Sequence, residues 1–206
     1  VVLNPKAIEA VDQLKKNLKK IVFLSNAPRP SYKVINFLLK MKMDKKFLDH
    51  VITSGEAAMH AINQKKFGKS FFHLGPERDI SVFEKVKDNR TDLHECDFIL
   101  CTGLFDDYDN DLDYYKKFLL KHISKKLICT NPDLIVHRGN TEELCAGSVA
   151  KVFEDLGGEV IYFGKPHKEI YNMCFGSNEK VLAIGDNLRT DIKGANNLKI
   201  DCIFIS

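Results

Sequence analysis

The chain has 206 residues, 44% of them hydrophobic, and its 31 basic and 28 acidic side chains are mixed along the length for a formal net charge of +3. That supplies core material for one large domain or a domain carrying an insertion, and the interleaved charges leave no basic face of the kind nucleic acid requires. No apolar run approaches the roughly 20 residues that span a bilayer, the start does not read as a signal peptide, and the six cysteines, with no C-x-x-C pair, read as buried reduced thiols of a cytosolic protein.

In chain order, residues 5–17 have helical spacing through Ile8, Val11 and Leu14, with Asn4 placed as N-cap and Pro5 at the first helical position. Residues 21–25 (IVFLS) read as a strand, and 31–41 as a helix with Val34, Phe37, Leu38 and Met41 on one face. HVIT is a further strand, and Ser54 is expected to cap a helix running to about residue 64. A second series follows, with strands at SFFHL, CDFILC and KLICT and helices expected near 80–86, 112–122 and 144–156. The last third carries strands EVIYF, KVLAI and DCIFI with helices at 167–174 and 188–196. Strand and helix alternating in this way predict an α/β fold of parallel sheets covered on both faces. The lysine runs at 15–20 and 41–46 read as solvent faces of helices.

In open α/β sheets, ligands bind beyond the carboxyl ends of the strands, so the polar residues that follow each strand matter most. After IVFL come Ser25 and Asn26, after VIYF come Gly164 and Lys165, and after VLAI come Gly185, Asp186 and Asn187, with Asp191 one helical turn on. A hydroxyl, an amide, an ammonium and two carboxylates together suit a phosphate and Mg²⁺, a hard cation that uses carboxylates and phosphate oxygens. Asp186 is expected to ligate the metal, with Asp191 as a further ligand or an acceptor for a metal-bound water. Two like charges on one turn otherwise repel. Ser25 and the neighbouring N–H groups can donate to phosphate oxygens, and Lys165 can neutralise a transferring phosphoryl group. Gly185 is read as giving room for close approach of backbone and ligand. Taken singly, each feature is as well explained by a cap or a turn; the order in which they occur, each at a strand end, makes the joint reading stronger.

At these residues the chain resembles the haloacid dehalogenase (HAD) superfamily, in its class IIA branch of NagD and p-nitrophenylphosphatase-like enzymes. Ser25 in FLSNAPRPS matches the second family motif, Lys165 in FGKPHKEIY the third, and Asp186 and Asp191 in AIGDNLRTDIKGA the fourth; TSGEAA (53–58) and CTNPD (129–133) are further landmarks. The resemblance implies a Rossmann-like core, residues 1–67 and 163–206, split by a smaller α/β cap of the C2a type at 68–162. It implies Mg²⁺, a small phosphorylated substrate such as a sugar phosphate or nucleotide, and a cap surface that can serve a homodimer. Asn131 and Asp133 in the cap loop become candidates for substrate selectivity, beside Asn26 and Asn187 near the phosphate.

One departure stands out. The family's first motif, D-x-D-G, supplies the aspartate nucleophile and the general acid, and it is expected just ahead of VVLNPKAIEA, where the chain opens without it; the end on DCIFIS is likewise abrupt. FDDYDNDLDYY (105–115) has D-x-D spacings but falls in the expected cap, and Leu112 and Phe118 stand where an EF-hand needs glycine and glutamate. The expected function is a Mg²⁺-dependent phosphomonoesterase acting through an aspartyl phosphate, inactive without that motif. A phosphate-binding or regulatory module is the alternative, and a phosphotransferase or phosphonatase-type relative the third. On the leading reading, Lys165→Ala or Asp186→Ala abolishes turnover and spares the fold.

Overall fold

Helix α1 (Pro5–Lys16) begins as its sequence dictates, on an Asn4 side chain that accepts from the Lys6 N–H at 3.0 Å, with Pro5 in the first turn. The structure, a computed structural model, describes residues 3–139 and 141–206. Strand β1 (Phe23–Ser25) pairs in parallel with β2 (Val51–Thr53), Ser25 standing opposite Thr53. Between them α2 (Ser31–Lys40) lays Val34, Ile35 and Leu38 on a small core of Met43, Phe47, Leu48 and Val51. Phe37, expected on the same apolar face, is 53% exposed and turns toward a cleft.

The largest sheet has the order β3 (Phe71–Leu74), β4 (Phe98–Cys101), β5 (Lys126–Cys129), β8 (Glu159–Tyr162), and every pairing in it is parallel. Its strands are continuous apolar runs because both faces are covered. Helices α4 (Leu112–Leu119) and α5 (Ala146–Asp155) seal one face through Leu119, Val149 and Phe153, over Ile99, Cys101 and Leu127. On the other face Phe71, Phe98 and Ile128 meet Ala58 and Ile62 of α3 (Ser54–Asn63) and Ile170 of the short α6 (Lys168–Tyr171). Beyond β5 the chain forms an antiparallel hairpin, β6 (Ile135–Arg138) with β7 (Thr141–Leu144). The carboxyl-terminal pair, β9 (Leu182–Gly185) with β10 (Asp201–Phe204), is parallel and is joined by a wide turn, Leu188–Ile192, and α7 (Lys193–Leu198).

Several expectations change. Thr53, not Ser54, is the N-cap of α3, its hydroxyl accepting from Glu56 N–H at 3.2 Å. Ser54 is the first helical residue, fully buried, and its hydroxyl reaches the Thr130 and Ala27 carbonyls. The helix expected at 80–86 is two 3₁₀ stretches, Glu77–Val82 and Glu84–Asn89, and only four residues of 167–174 are α-helical. Leu144 belongs to β7, because the hairpin takes up the residues that helical spacing assigned to the start of α5. The helix expected at 188–196 opens as the wide turn, which closes Ile192 N–H onto the Asn187 carbonyl at 3.2 Å.

Two further features bear on function. No ladder among the described residues joins β1 to β9, and on β9 the apolar Leu182 and Ile184 are 52% and 54% exposed. No helix is long and apolar enough to cross a membrane, no disulfide forms among the described residues, and five of the six thiols are buried.

Candidate active site

The carboxyl ends of β1, β3, β4 and β5 open onto one cleft of about 1010 Å³. Ser25 and Asn26 approach it from β1, Pro76 and Asp79 from beyond β3, Thr102 from β4, and Asn131 and Asp133 from β5, with the hairpin as an outer wall. Parallel strands place their outgoing loops at the same end, which is why residues up to 108 positions apart in sequence share this wall.

Asn26 holds the wall together. It is 8% exposed; its amide nitrogen donates to Asp133 Oδ1 at 2.9 Å and to the Lys165 carbonyl at 3.0 Å, while its oxygen accepts from Lys165 N–H at 2.7 Å. Asn131 accepts from Asp133 N–H at 3.0 Å through its side-chain oxygen. Burial pushes the Asp133 carboxyl up, against the pull of the Asn26 amide and of Lys165. Gly164 is needed at φ +121°, where a Cβ would come within 2.6 Å of Pro132 Cδ and 2.9 Å of Asn26 Oδ1.

Lys165 then delivers its ammonium to Asp191, Nζ to Oδ1 2.6 Å, with the two side chains only 16% and 12% exposed. The other Asp191 oxygen accepts from Asn187 N–H at 3.1 Å. This is what the glycine of the GDN turn permits: a Cβ on Gly185 would collide with the Asp191 side chain. The close approach that Gly185 permits in this structure is to the Asp191 side chain. Asp186 is exposed at the end of β9 and makes no ion pair among the described residues.

The expected site residues other than the exposed Asp186 divide into three groups. Ser25, Asn26, Asn131 and Asp133 line the cleft. Lys165 and Asp191 form a pair joined to that wall through Asn26. Asn187 uses its side-chain oxygen to accept from the N–H groups of Arg189 at 2.9 Å and Thr190 at 3.3 Å, so that oxygen caps the turn after β9. Ser25 is likewise engaged locally, its oxygen accepting from Ala27 N–H at 3.2 Å, which leaves the hydroxyl proton for a ligand. His167 stacks on Tyr162, centroids 4.7 Å apart, at the N-cap of α6, in keeping with a turn residue. Cleft residues without any sequence signal are Asp79 and Thr102, which only the register of β3 beside β4 brings together.

Two family models match the chain: haloacid dehalogenase-like hydrolase over residues 2–87 and HAD-hydrolase-like over residues 162–206. A crystal structure of a hydrolase of the haloacid dehalogenase-like family from Brucella suis 1330 is 30% identical, with a TM-score of 0.87, covering 100% of this chain and 82% of its own. The 4-nitrophenylphosphatase of Thermotoga maritima is 28% identical with a TM-score of 0.77, covering 99% of this chain and 79% of its own. The p-nitrophenyl phosphatase of Archaeoglobus fulgidus shares the fold at 19% identity and a TM-score of 0.75, covering 98% of this chain and 78% of its own. No curated protein sequence matches.

Proposed function

Because the chain belongs to the haloacid dehalogenase-like hydrolases, in the NagD and p-nitrophenylphosphatase-like branch of that family, we propose that it holds the phosphoryl group of a small phosphomonoester between Ser25 and Lys165, with Mg²⁺ at Asp186. The observation that carries this reading is the largely buried Lys165–Asp191 pair, fastened by Asn26 to the end of β1. Its ammonium is fixed in place, so little reorganisation is needed when an anion arrives.

The donor set suits Mg²⁺. The ion favours oxygen ligands and keeps waters and substrate phosphate oxygens in its shell. No three described His, Cys, Asp or Glu side chains gather to hold a metal alone, so the phosphate itself completes the site. Asp186 offers an unpaired carboxylate, and Asp191, already accepting from Lys165 and Asn187, suits an outer position. When bound, the ion would offset the charge gathering on the phosphoryl oxygens.

Displacement at phosphorus also needs a nucleophile. Every D-x-D spacing in the chain lies within residues 107–113, none is followed by glycine, and Asp111 is spent capping α4, accepting from Tyr114 N–H at 2.9 Å. We therefore propose that these 206 residues bind a phosphomonoester without hydrolysing it, and that the nucleophile is an aspartate on a strand beside β1 and β9, where Leu182 and Ile184 are left uncovered. The test is p-nitrophenyl phosphate with Mg²⁺. The chain alone is expected to release no p-nitrophenol, and the chain preceded by an Asp-x-Asp-Gly strand to release it in a Mg²⁺-dependent way that Asp186→Asn abolishes. Turnover by the chain alone contradicts the assignment of the nucleophile. Silence of the extended protein favours the second reading, a phosphate-binding module.

A further inference from the structure

Charge that nearly balances over the whole chain is unevenly placed along it. Residues 1–50 carry 11 basic and 4 acidic side chains. Much of that excess stands around the carboxyl end of α1, where Lys15, Lys16, Lys19 and Lys20 meet Lys45 and Lys46: the Lys15 ammonium donates to the Lys46 carbonyl, and Lys46 reaches Asp12 of α1 at 2.8 Å. This pole lies at the end from which the chain enters β1, and Ser25 leaves β1 for the cleft at the other end.

The acids at this pole are already taken. Asp12 lies between Lys16 at 2.7 Å and Lys46 at 2.8 Å, which hold its carboxyl down to about 2; Asp49 takes Lys15 at 2.7 Å, and Glu179 takes Lys20 at 3.1 Å. Lys19 and Lys45 are exposed and make no ion pair among the described residues. The pole therefore keeps an excess of positive charge, and its paired lysines, being solvated, exchange partners at little cost.

Its centre is apolar. Helix α1 ends with Lys19 N–H on the Leu14 carbonyl and Leu18 N–H on the Lys15 carbonyl, both at 3.0 Å, which puts Leu18 in the left-handed position that glycine ordinarily fills. Leu18 has φ +56°, and the other described non-glycine residues with positive φ are all lysines. Its side chain is 94% exposed, so a bulky apolar group takes a strained backbone conformation and gains no packing within the fold. Beside it lies a hollow of about 310 Å³, with Lys15, Lys19, Lys20, Asp49 and His50 around a floor that includes Ile21 and Phe47.

We propose that this pole is a docking surface for anionic lipid bilayers, with Leu18 entering the boundary between headgroups and acyl chains while the lysines around it neutralise headgroup phosphates. Lysines alone would serve any polyanion. A leucine held out in solvent at their centre gains only where an apolar layer lies beneath the charge, which favours a bilayer over nucleic acid. The contact is to the surface and involves no spanning segment, and it leaves the cleft at the opposite end open. It does not depend on the phosphomonoester reading.

Cosedimentation with vesicles tests this. The chain is expected to partition at least tenfold more strongly onto equal parts phosphatidylglycerol and phosphatidylcholine than onto phosphatidylcholine alone, and to lose most of that preference at high salt. Leu18→Gly removes the apolar side chain and relaxes the left-handed turn, so its urea midpoint should be no lower than the parent's while its partition onto the anionic vesicles falls at least fivefold. Lys19→Glu/Lys45→Glu is expected to lower it at least tenfold. The chain has no tryptophan, so Leu18→Trp supplies a single fluorophore whose emission should shift to the blue on anionic vesicles. Equal partition onto both vesicles, partition that Leu18→Gly leaves alone, or Leu18→Trp emission that does not move overturns the proposal. So does binding to duplex DNA as strong as to the anionic vesicles and indifferent to Leu18→Gly, which would mark a merely basic face.

Discussion

Lys165→Ala is expected to lower stability by about 3–5 kcal/mol, the cost of leaving one partner of a sequestered ion pair without the other, and to weaken phosphate binding by about 100-fold, near 3 kcal/mol. Asp191 would keep only the Asn187 N–H, at 88% burial of its side chain. The sequence alone suggested that removing Lys165 would spare the fold. The 2.6 Å contact to Asp191 changes that expectation for Lys165 and leaves it in force for exposed Asp186. Urea denaturation separates the two effects. The double variant Lys165→Ala/Asp191→Asn is expected to recover part of the stability, because no uncompensated charge remains, yet none of the phosphate affinity. A single variant as stable as the parent would mean that the pair is solvated and does not build the site.

Asn26→Ala carries the second large expectation, a loss of about 2–4 kcal/mol. The substitution strips the buried Lys165 N–H of its acceptor, and the Lys165 carbonyl and Asp133 of a donor, and each orphaned buried group costs on the order of 1–3 kcal/mol. Phosphate affinity should fall as well, since Asn26 touches both chain segments that meet at the site. Asn26→Asp offers a sharper comparison: it keeps the acceptor for Lys165 N–H but sets a carboxylate against Asp133. Stability of Asn26→Asp below that of Asn26→Ala at pH 7, with the order reversing once both acids are protonated, is the expected pattern. Equal stability across that pH range would show that Asn26 and Asp133 do not face each other.

The polar residues at the strand ends were legible because parallel α/β sheets deliver them to one end, and short apolar runs mark strands well. Serine, lysine and the paired aspartates could be listed from that rule alone. Their mutual roles could not. Asn26 looked like a phosphate contact, and the structure makes it a staple between segments 107 and 139 positions away. Nothing local in a sequence encodes such a contact. Asn187 shows the opposite case: its spacing before Arg189 and Thr190 is an ordinary N-cap signal, and that is the work its oxygen performs.

The β6–β7 hairpin was missed for a different reason. Its strands carry Ile135 and Val136 at 43% and 39% exposure, so no alternation of apolar and polar residues marks a buried face. The 3₁₀ stretches between β3 and β4 have too few residues to show periodicity. Asp79 gave no sequence signal because its place at the cleft wall beside Thr102 follows from the register of β3 against β4 and not from its local sequence.

The phosphate site itself is tested most directly by titrating inorganic phosphate into the chain with and without Mg²⁺, in parallel with Asp186→Asn. Stoichiometric binding that requires the metal, and that Asp186→Asn reduces at least tenfold, is the predicted result. Phosphate that binds equally well without Mg²⁺, or equally well to Asp186→Asn, would contradict a cation held at the end of β9 opposite Lys165.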